Sequence, residues 1–192
     1  MQEFGSADDQ RGKTGRKGAQ PVDDQAPRRS AAVKYFEDIA VGERTAVGRH
    51  TFTAEEIKAF ATRFDPQPFH VDERAAERSH FGRLAASGWH SAVVWMRLMV
   101  AERRRQAEAA RGRCESVAAM GPALGLRDLK WLKPIYVDDS VTYESEVIET
   151  RVSESRPNLG LLTVRSTGVN QRGELVISFI STTFVERRPV NK

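Results

Sequence analysis

Apolar residues recur with helical spacing at Ile57, Phe60, Ala61 and Phe64, and a run of that period predicts an amphipathic helix. Thr53 and Glu56 form a capping box at its start, with Phe52 and Ile57 as the hydrophobic staple around it. The helix has to stop near Asp65, because a residue before proline avoids the α region. VDERAAERSHF then reads as a second short helix with Asp72 at its N-cap. Residues 63–70, RFDPQPFH, therefore fall on the loop between two helices.

The longest apolar helix starts at SGWHSAVVWMRLMV. Trp89, Ala92, Val93, Met96, Met99 and Val100 make one face, and Val94, Trp95 and Leu98 widen it. A helix apolar over most of its circumference is expected in the middle of a domain. Its polar continuation, AERRRQAEAARG, reads as a solvated end that stops at Gly112. Beyond it the period changes to two. SVTYESEVIETRV, LGLLTVRSTGVN and ELVISFISTTFVERR alternate and are rich in β-branched residues. NQRG, residues 170–173, marks a turn between the last two of these strands. LKWLKPIYVDD reads as a further strand interrupted at Pro134. Short helices, one buried helix and several antiparallel strands predict an α+β domain with the sheet wrapped on that helix.

Composition narrows the picture. The 192 residues suffice for one domain with a real core. Residues 1–32 carry few apolar positions and are expected to form a disordered tail, with the folded domain over residues 33–192. The net charge of +4 is mildly basic, but acidic residues are interspersed, so no continuous nucleic-acid face is expected. With Cys114 as the single cysteine there is no internal disulfide. No signal-peptide core or membrane-length apolar run is present, so the chain is expected to be cytoplasmic and to have no membrane partner.

Two short stretches can carry chemistry. Pro66 and Pro68 restrict the backbone around Asp65 and His70, so a carboxylate and an imidazole can be presented together with little freedom to lose. Facing one substrate, such a pair can share proton transfers. An aspartate before proline is equally an ordinary turn starter and helix boundary, and the local sequence leaves both readings open. In AASGWH, residues 85–90, Ser87 or Gly88 opens the central helix, where backbone N–H groups lack partners. A glycine there lets a ligand carbonyl approach those donors, as in an oxyanion hole; the plainer reading makes Ser87 an N-cap and Gly88 a packing residue. His90 can line the same cavity or be a hydrogen-bonded core histidine. The four histidines have no metal-ligand spacing, so no metal is expected. G-x-S-x-G and G-x-G-x-x-G are absent, and RGKTGRKG lies in the tail without a preceding strand.

Taken together, YFEDIAVGE, FTAEEIKAFATRFDPQPFHVDE, GRLAASGWHSA and WLKPIYVDDSVTYESEV resemble the MaoC-like dehydratases, a family related to the R-specific enoyl-CoA hydratases. The similarity runs from Val33 to Arg188, and the family pattern D-x-N-P-x-H is similar to Asp65-Pro66-Gln67-Pro68-Phe69-His70. The resemblance implies a hot-dog fold, a curved antiparallel sheet wrapped around a long central helix. It also implies a homodimer or higher homo-oligomer with an acyl-CoA thioester bound near the subunit interface. Asp65 and His70 become the catalytic dyad for reversible hydration of a trans-2-enoyl-CoA or dehydration of a 3-hydroxyacyl-CoA. The Gly88 N–H binds the thioester oxygen, with Ser87, Gln67 and His90 around the substrate. No dissociable cofactor is implied, since CoA enters as part of the substrate. Two departures stand out: Gln67 replaces the family asparagine, and the serine that supports the aspartate in some hydratases falls at Val93, with Ser91 and His90 nearby. The alternatives are a hot-dog acyl-CoA thioesterase and a non-catalytic acyl-thioester-binding subunit, because fold alone does not decide function.

Overall fold

The structure is a computed structural model that describes residues 34–189; the tail expected over residues 1–32 lies outside them. After a single 3-10 turn at Phe36–Asp38 come β1 (Arg44–Thr51), α1 (Ala54–Phe64), α2 (Pro68–Val71), α3 (Glu73–Glu77) and α4 (Gly88–Gly112). β2 (Met120–Trp131), β3 (Ser140–Val152), β4 (Leu159–Asn170) and β5 (Leu175–Glu186) follow. The strands form one antiparallel sheet in the order β1-β3-β4-β5-β2, with α4 as the long helix of a hot-dog fold.

Local signals set most of these boundaries. Thr53 caps α1 by accepting a hydrogen bond from the Glu56 N–H at 3.2 Å, and the staple residues Phe52 and Ile57 are fully buried. The capping box is only half made. The Glu56 carboxylate turns instead toward His50 on neighbouring β1, with Oε2 3.2 Å from Nε2. Asp72 caps α3, accepting from the Ala75 N–H at 2.7 Å. β5 alternates buried and half-buried positions along nearly its whole length, as its sequence period requires.

Four expectations need correction. α3 is shorter than the stretch Val71–Phe81, and a separate helical turn, α2, precedes it with Pro68 at its first position. His70 therefore stands in a helical turn rather than a plain loop. The strand expected over LKWLKPIYVDD ends at Trp131 and starts as early as Met120. It is an edge strand with register shifts at three points, so its sequence carries no clean alternation. β1 was not anticipated either. It has only one buried residue, Val47, and a bulge at Gly48. Gly48 has φ +143°, which side-chain-bearing residues rarely adopt, and a Cβ there would lie 3.3 Å from Leu98 Cδ2.

The fourth correction concerns α4. His90, Ser91, Val94, Trp95 and Leu98 are buried, His90 against Phe60 of α1 and Trp95 edge-on to Phe179 of the sheet at 4.7 Å. Most of the face expected inside points outward: Trp89 is 54% exposed, Val93 53%, Met96 43% and Val100 39%. A helix apolar all round gives no sign from its own period of which side the sheet covers.

Candidate active site

The backbone delivers Asp65 and His70 to one place. Asp65 ends α1, its N–H donating to the Ala61 carbonyl at 2.9 Å, and the Gln67 N–H donates to the Asp65 carbonyl at 2.7 Å. Pro68 then starts α2, and one turn brings the His70 ring back beside the aspartate. On the other side, the segment before α4 pairs with the chain after β2: the Ala86 N–H donates to the Ile135 carbonyl at 2.7 Å. That pairing sets the start of α4 against the dyad.

The His70 ring is buried, and its Nδ1 lies 2.7 Å from the Ala85 carbonyl oxygen. A carbonyl only accepts, so Nδ1 carries a proton, and in the neutral tautomer this leaves the Nε2 lone pair facing the cavity. Nε2 stands 3.5 Å from Asp65 Oδ2, too far for a good hydrogen bond but close enough for both to reach one small molecule. Phe69 packs edge-on against the ring at 4.6 Å and restricts its rotation.

Asp65 is held by two donors. The Ser87 hydroxyl donates to Oδ2 at 2.6 Å, and the Gln67 side-chain amide donates to Oδ1 at 2.8 Å. Burial by itself would raise the Asp65 carboxyl. The Ser87 and Gln67 hydrogen bonds and the nearby His70 outweigh it and hold the group below its ordinary value. Ser87 thus occupies the N-cap position of α4, but its side chain is committed to Asp65 and makes no capping hydrogen bond to the first turn.

Gly88 is the first residue of α4, where backbone donors have no partner within the helix. The Trp131 indole lies directly on it: a Cβ built at residue 88 would meet Trp131 Cε2 at 2.5 Å. Only glycine fits under that ring. Trp131 in turn packs edge-on against Trp89 with centroids 5.1 Å apart. Asp65, Gln67, His70, Ser87, Gly88 and Trp131 all line one cavity of about 460 Å³, whose remaining walls are largely apolar and aromatic. Carboxylate, imidazole lone pair and helix-end donors in one apolar cavity are the parts needed to move a proton beside a carbonyl whose oxygen gains charge.

His90 does not join them. It stacks flat on Phe60 at 4.5 Å and edge-on against Phe52, and it lines no part of this cavity. Its buried Nδ1 has no hydrogen-bond partner among the described residues, so the expected hydrogen-bonded core histidine is not seen at that atom. Two residues past Gly88 on a helix means about 200° of rotation, which carries the side chain toward α1. Val93, the expected place of a supporting serine, is exposed on the outer face, and the Ser91 hydroxyl donates to the Gly88 carbonyl at 2.8 Å. The support for Asp65 comes from Ser87 and Gln67 instead. Sequence reasoning missed the Ala85 carbonyl and Trp131. A backbone acceptor carries no side-chain signal, and Trp131 was legible only as an apolar strand residue.

Among the described residues no group of three or more His, Cys, Asp or Glu side chains could hold a metal, and no helix is long and apolar enough to cross a membrane. A family profile described as "FAS1-like, dehydratase domain region" matches residues 39–179. The crystal structure of the MaoC-like dehydratase from Rhodospirillum rubrum is 41% identical, with a TM-score of 0.70, covering 82% of this chain and 99% of that one. An unliganded R-hydratase from Pseudomonas aeruginosa is 18% identical, with a TM-score of 0.57 over 82% of this chain and 92% of that one, a likeness of fold. The mesaconyl-CoA hydratase of Cereibacter sphaeroides is 35% identical over 65 residues, which is 34% of this chain and only 19% of that protein. A profile spanning most of the chain, together with 41% identity over nearly the whole of a solved relative, means that this chain belongs to the MaoC-like dehydratase family.

Proposed function

We propose that the chain is a hydro-lyase of acyl thioesters, adding water reversibly across the double bond of a trans-2-enoyl-CoA to give a 3-hydroxyacyl-CoA. The observation that carries this reading is the 3.5 Å separation of Asp65 Oδ2 and His70 Nε2 at the wall of the cavity that Gly88 also lines. Both atoms are acceptors in the neutral-histidine state. A water donating one O–H to each directs a lone pair toward the substrate's β-carbon. As the C–O bond forms, the pair takes one water proton, and a proton passes from the pair to the α-carbon. The products then contain one added water and the dyad is restored. The thioester oxygen gains negative charge in between, and the free N–H at Gly88 is a donor of the right kind to offset it. CoA enters as part of the substrate, with no separate cofactor.

A homodimer or higher homo-oligomer fits the surface. Trp89, Val93, Met96 and Val100 form an exposed apolar stripe on α4 that meets the exposed Trp131 through Trp89, and Leu124, Leu126 and Leu132 are exposed on or just beyond the same edge strand. A contiguous patch of this kind favours a partner, and Trp89 and Trp131 belong to both the stripe and the cavity wall. A soluble, cytoplasmic enzyme without nucleic-acid or membrane partners completes the proposal. The relatives named hydratases support it at the level of reaction class.

The test follows enoyl-thioester absorbance with a panel of trans-2-enoyl-CoAs, straight, branched and dicarboxylic. Wild type is expected to bleach at least one member, and Asp65→Asn and His70→Ala to slow this by at least about a hundredfold, the scale of general acid–base catalysis. Wild-type rates in both variants would refute the dyad. Release of free CoA thiol without hydration would make the protein a thioesterase, and binding without turnover a non-catalytic subunit.

A further inference from the structure

The core of the domain is divided. One buried cluster gathers around the first half of α4 with Val47, Trp95 and Leu98; a second, separate one is built on Val147, Leu162 and Val185 at the far end of the sheet. Under the middle of α4 lies a cavity of about 140 Å³ that touches both clusters and whose lining shares no residue with the catalytic cavity. Val47, Trp95, Met99, Val147 and Leu162 make its apolar wall. Cavities of roughly 150 Å³ take up a molecule the size of benzene.

The polar lining is unbalanced. Glu43 is paired with Lys34 at 2.9 Å, and Glu102 with Arg105 at 2.7 Å. Arg103, half-buried in the same lining, makes no ion pair or hydrogen bond with any described residue, and burial alone pushes its guanidinium below the ordinary value. A half-buried cation with no bonded counter-charge is unfavourable and is met well by an anion that can reach it. Trp95, also in the wall, has a buried indole N–H with no acceptor among the described residues. Two donors are unmet, and both charged acceptors are already engaged.

We infer that this cavity is a second ligand site, separate from the dyad, for a small carboxylate with a compact apolar body, its carboxylate meeting Arg103 and its body lying against Trp95, Val147 and Leu162. The assignment does not depend on the reaction proposed above. Neutral molecules of the same shape leave the guanidinium unmet and bind less well. Longer acyl chains exceed the volume.

The experiment titrates the full chain with sodium benzoate and, separately, with benzamide, following the Trp95 indole N–H and the Arg103 Nε–H by two-dimensional NMR. Benzoate is expected to shift both signals saturably, with benzamide at least tenfold weaker. Asp65→Asn should leave the benzoate curve unchanged. Arg103→Met, which keeps an apolar stem and removes the charge, should weaken benzoate at least tenfold and unfold at the same or a higher temperature than wild type. Equal affinity for benzoate and benzamide overturns the inference, as does unchanged benzoate binding in Arg103→Met or a response confined to Gly88 and Trp131. Should Arg103→Met not fold, the benzoate-to-benzamide ratio of the wild type decides alone.

Discussion

Ser87→Ala tests the link between structure and chemistry most directly. It deletes a single donor, 2.6 Å from Asp65 Oδ2, at a position 1% exposed, and leaves the backbone and the dyad in place. A hydrogen bond to a charged acceptor contributes about 1.5–3 kcal/mol. At about 1.4 kcal/mol per factor of ten, losing that stabilisation of the reactive carboxylate lowers kcat/KM by roughly ten- to a hundredfold. The direction with pH is fixed as well. Burial raises the Asp65 carboxyl, and the Ser87 hydrogen bond is the largest of the effects that reverse it. Activity that needs the carboxylate is present above the folded-state value and lost as pH falls through it. Without Ser87 that value rises, so the acid limb of the rate profile moves to higher pH. The same carboxyl, held low by folding, contributes stability above its unfolded-state value that disappears as pH falls through the folded one, and Ser87→Ala reduces that contribution. Carboxyl-carbon NMR of Asp65 against pH reads the shift without any substrate. Ser87→Cys, a weaker donor, is expected in between. An unmoved Asp65 titration together with an unmoved kcat/KM in Ser87→Ala would refute the reasoning.

Further expectations concern neighbouring parts of the molecule. Gly88→Ala drives a methyl into the Trp131 indole and should cost about 1–3 kcal/mol by overpacking; Trp131→Ala in the same chain should recover most of it, and four urea curves measure the coupling. His90 is held neutral down to about 4, chiefly by burial, with His50 and Arg97 adding to it against Glu56. Because the folded value lies below the ordinary 6.5, stability is full above that pH and declines by about 3 kcal/mol as pH falls toward 4. His90→Phe should remove much of this decline in denaturant titrations at the two ends of the window, and an identical decline would locate the cause elsewhere. Val93→Asp puts a charge in the centre of the exposed α4 stripe and should reduce the mass measured by light scattering to that of a monomer; an unchanged mass would direct the search for the interface to another face.

The parts legible in the sequence were those governed by neighbours along the chain. The Thr53 cap ends up bonded to the Glu56 N–H, α4 runs to Gly112 as its apolar and polar stretches indicated, and β3–β5 form where the stretches of period two lie. Such features depend on intrinsic conformation and on side chains within one turn or one pleat, so the local order of residues suffices. The spacing of Asp65, two prolines and His70 belongs to the same class.

Tertiary packing decided the rest. Which flank of α4 faces the sheet was open, because apolar residues occupy both and only contact with β1 and β5 chooses between them. The Ser87 hydroxyl that holds Asp65 Oδ2 is 22 residues away in the chain and is brought there by the pairing of Ala86 with Ile135. Trp131 reaches Gly88 because the bulged strand β2 ends beside that same pairing. No periodicity encodes contacts of this kind. They form when separate elements share one core, and at this site they determine which oxygen is held, which nitrogen is free and which glycine cannot be replaced.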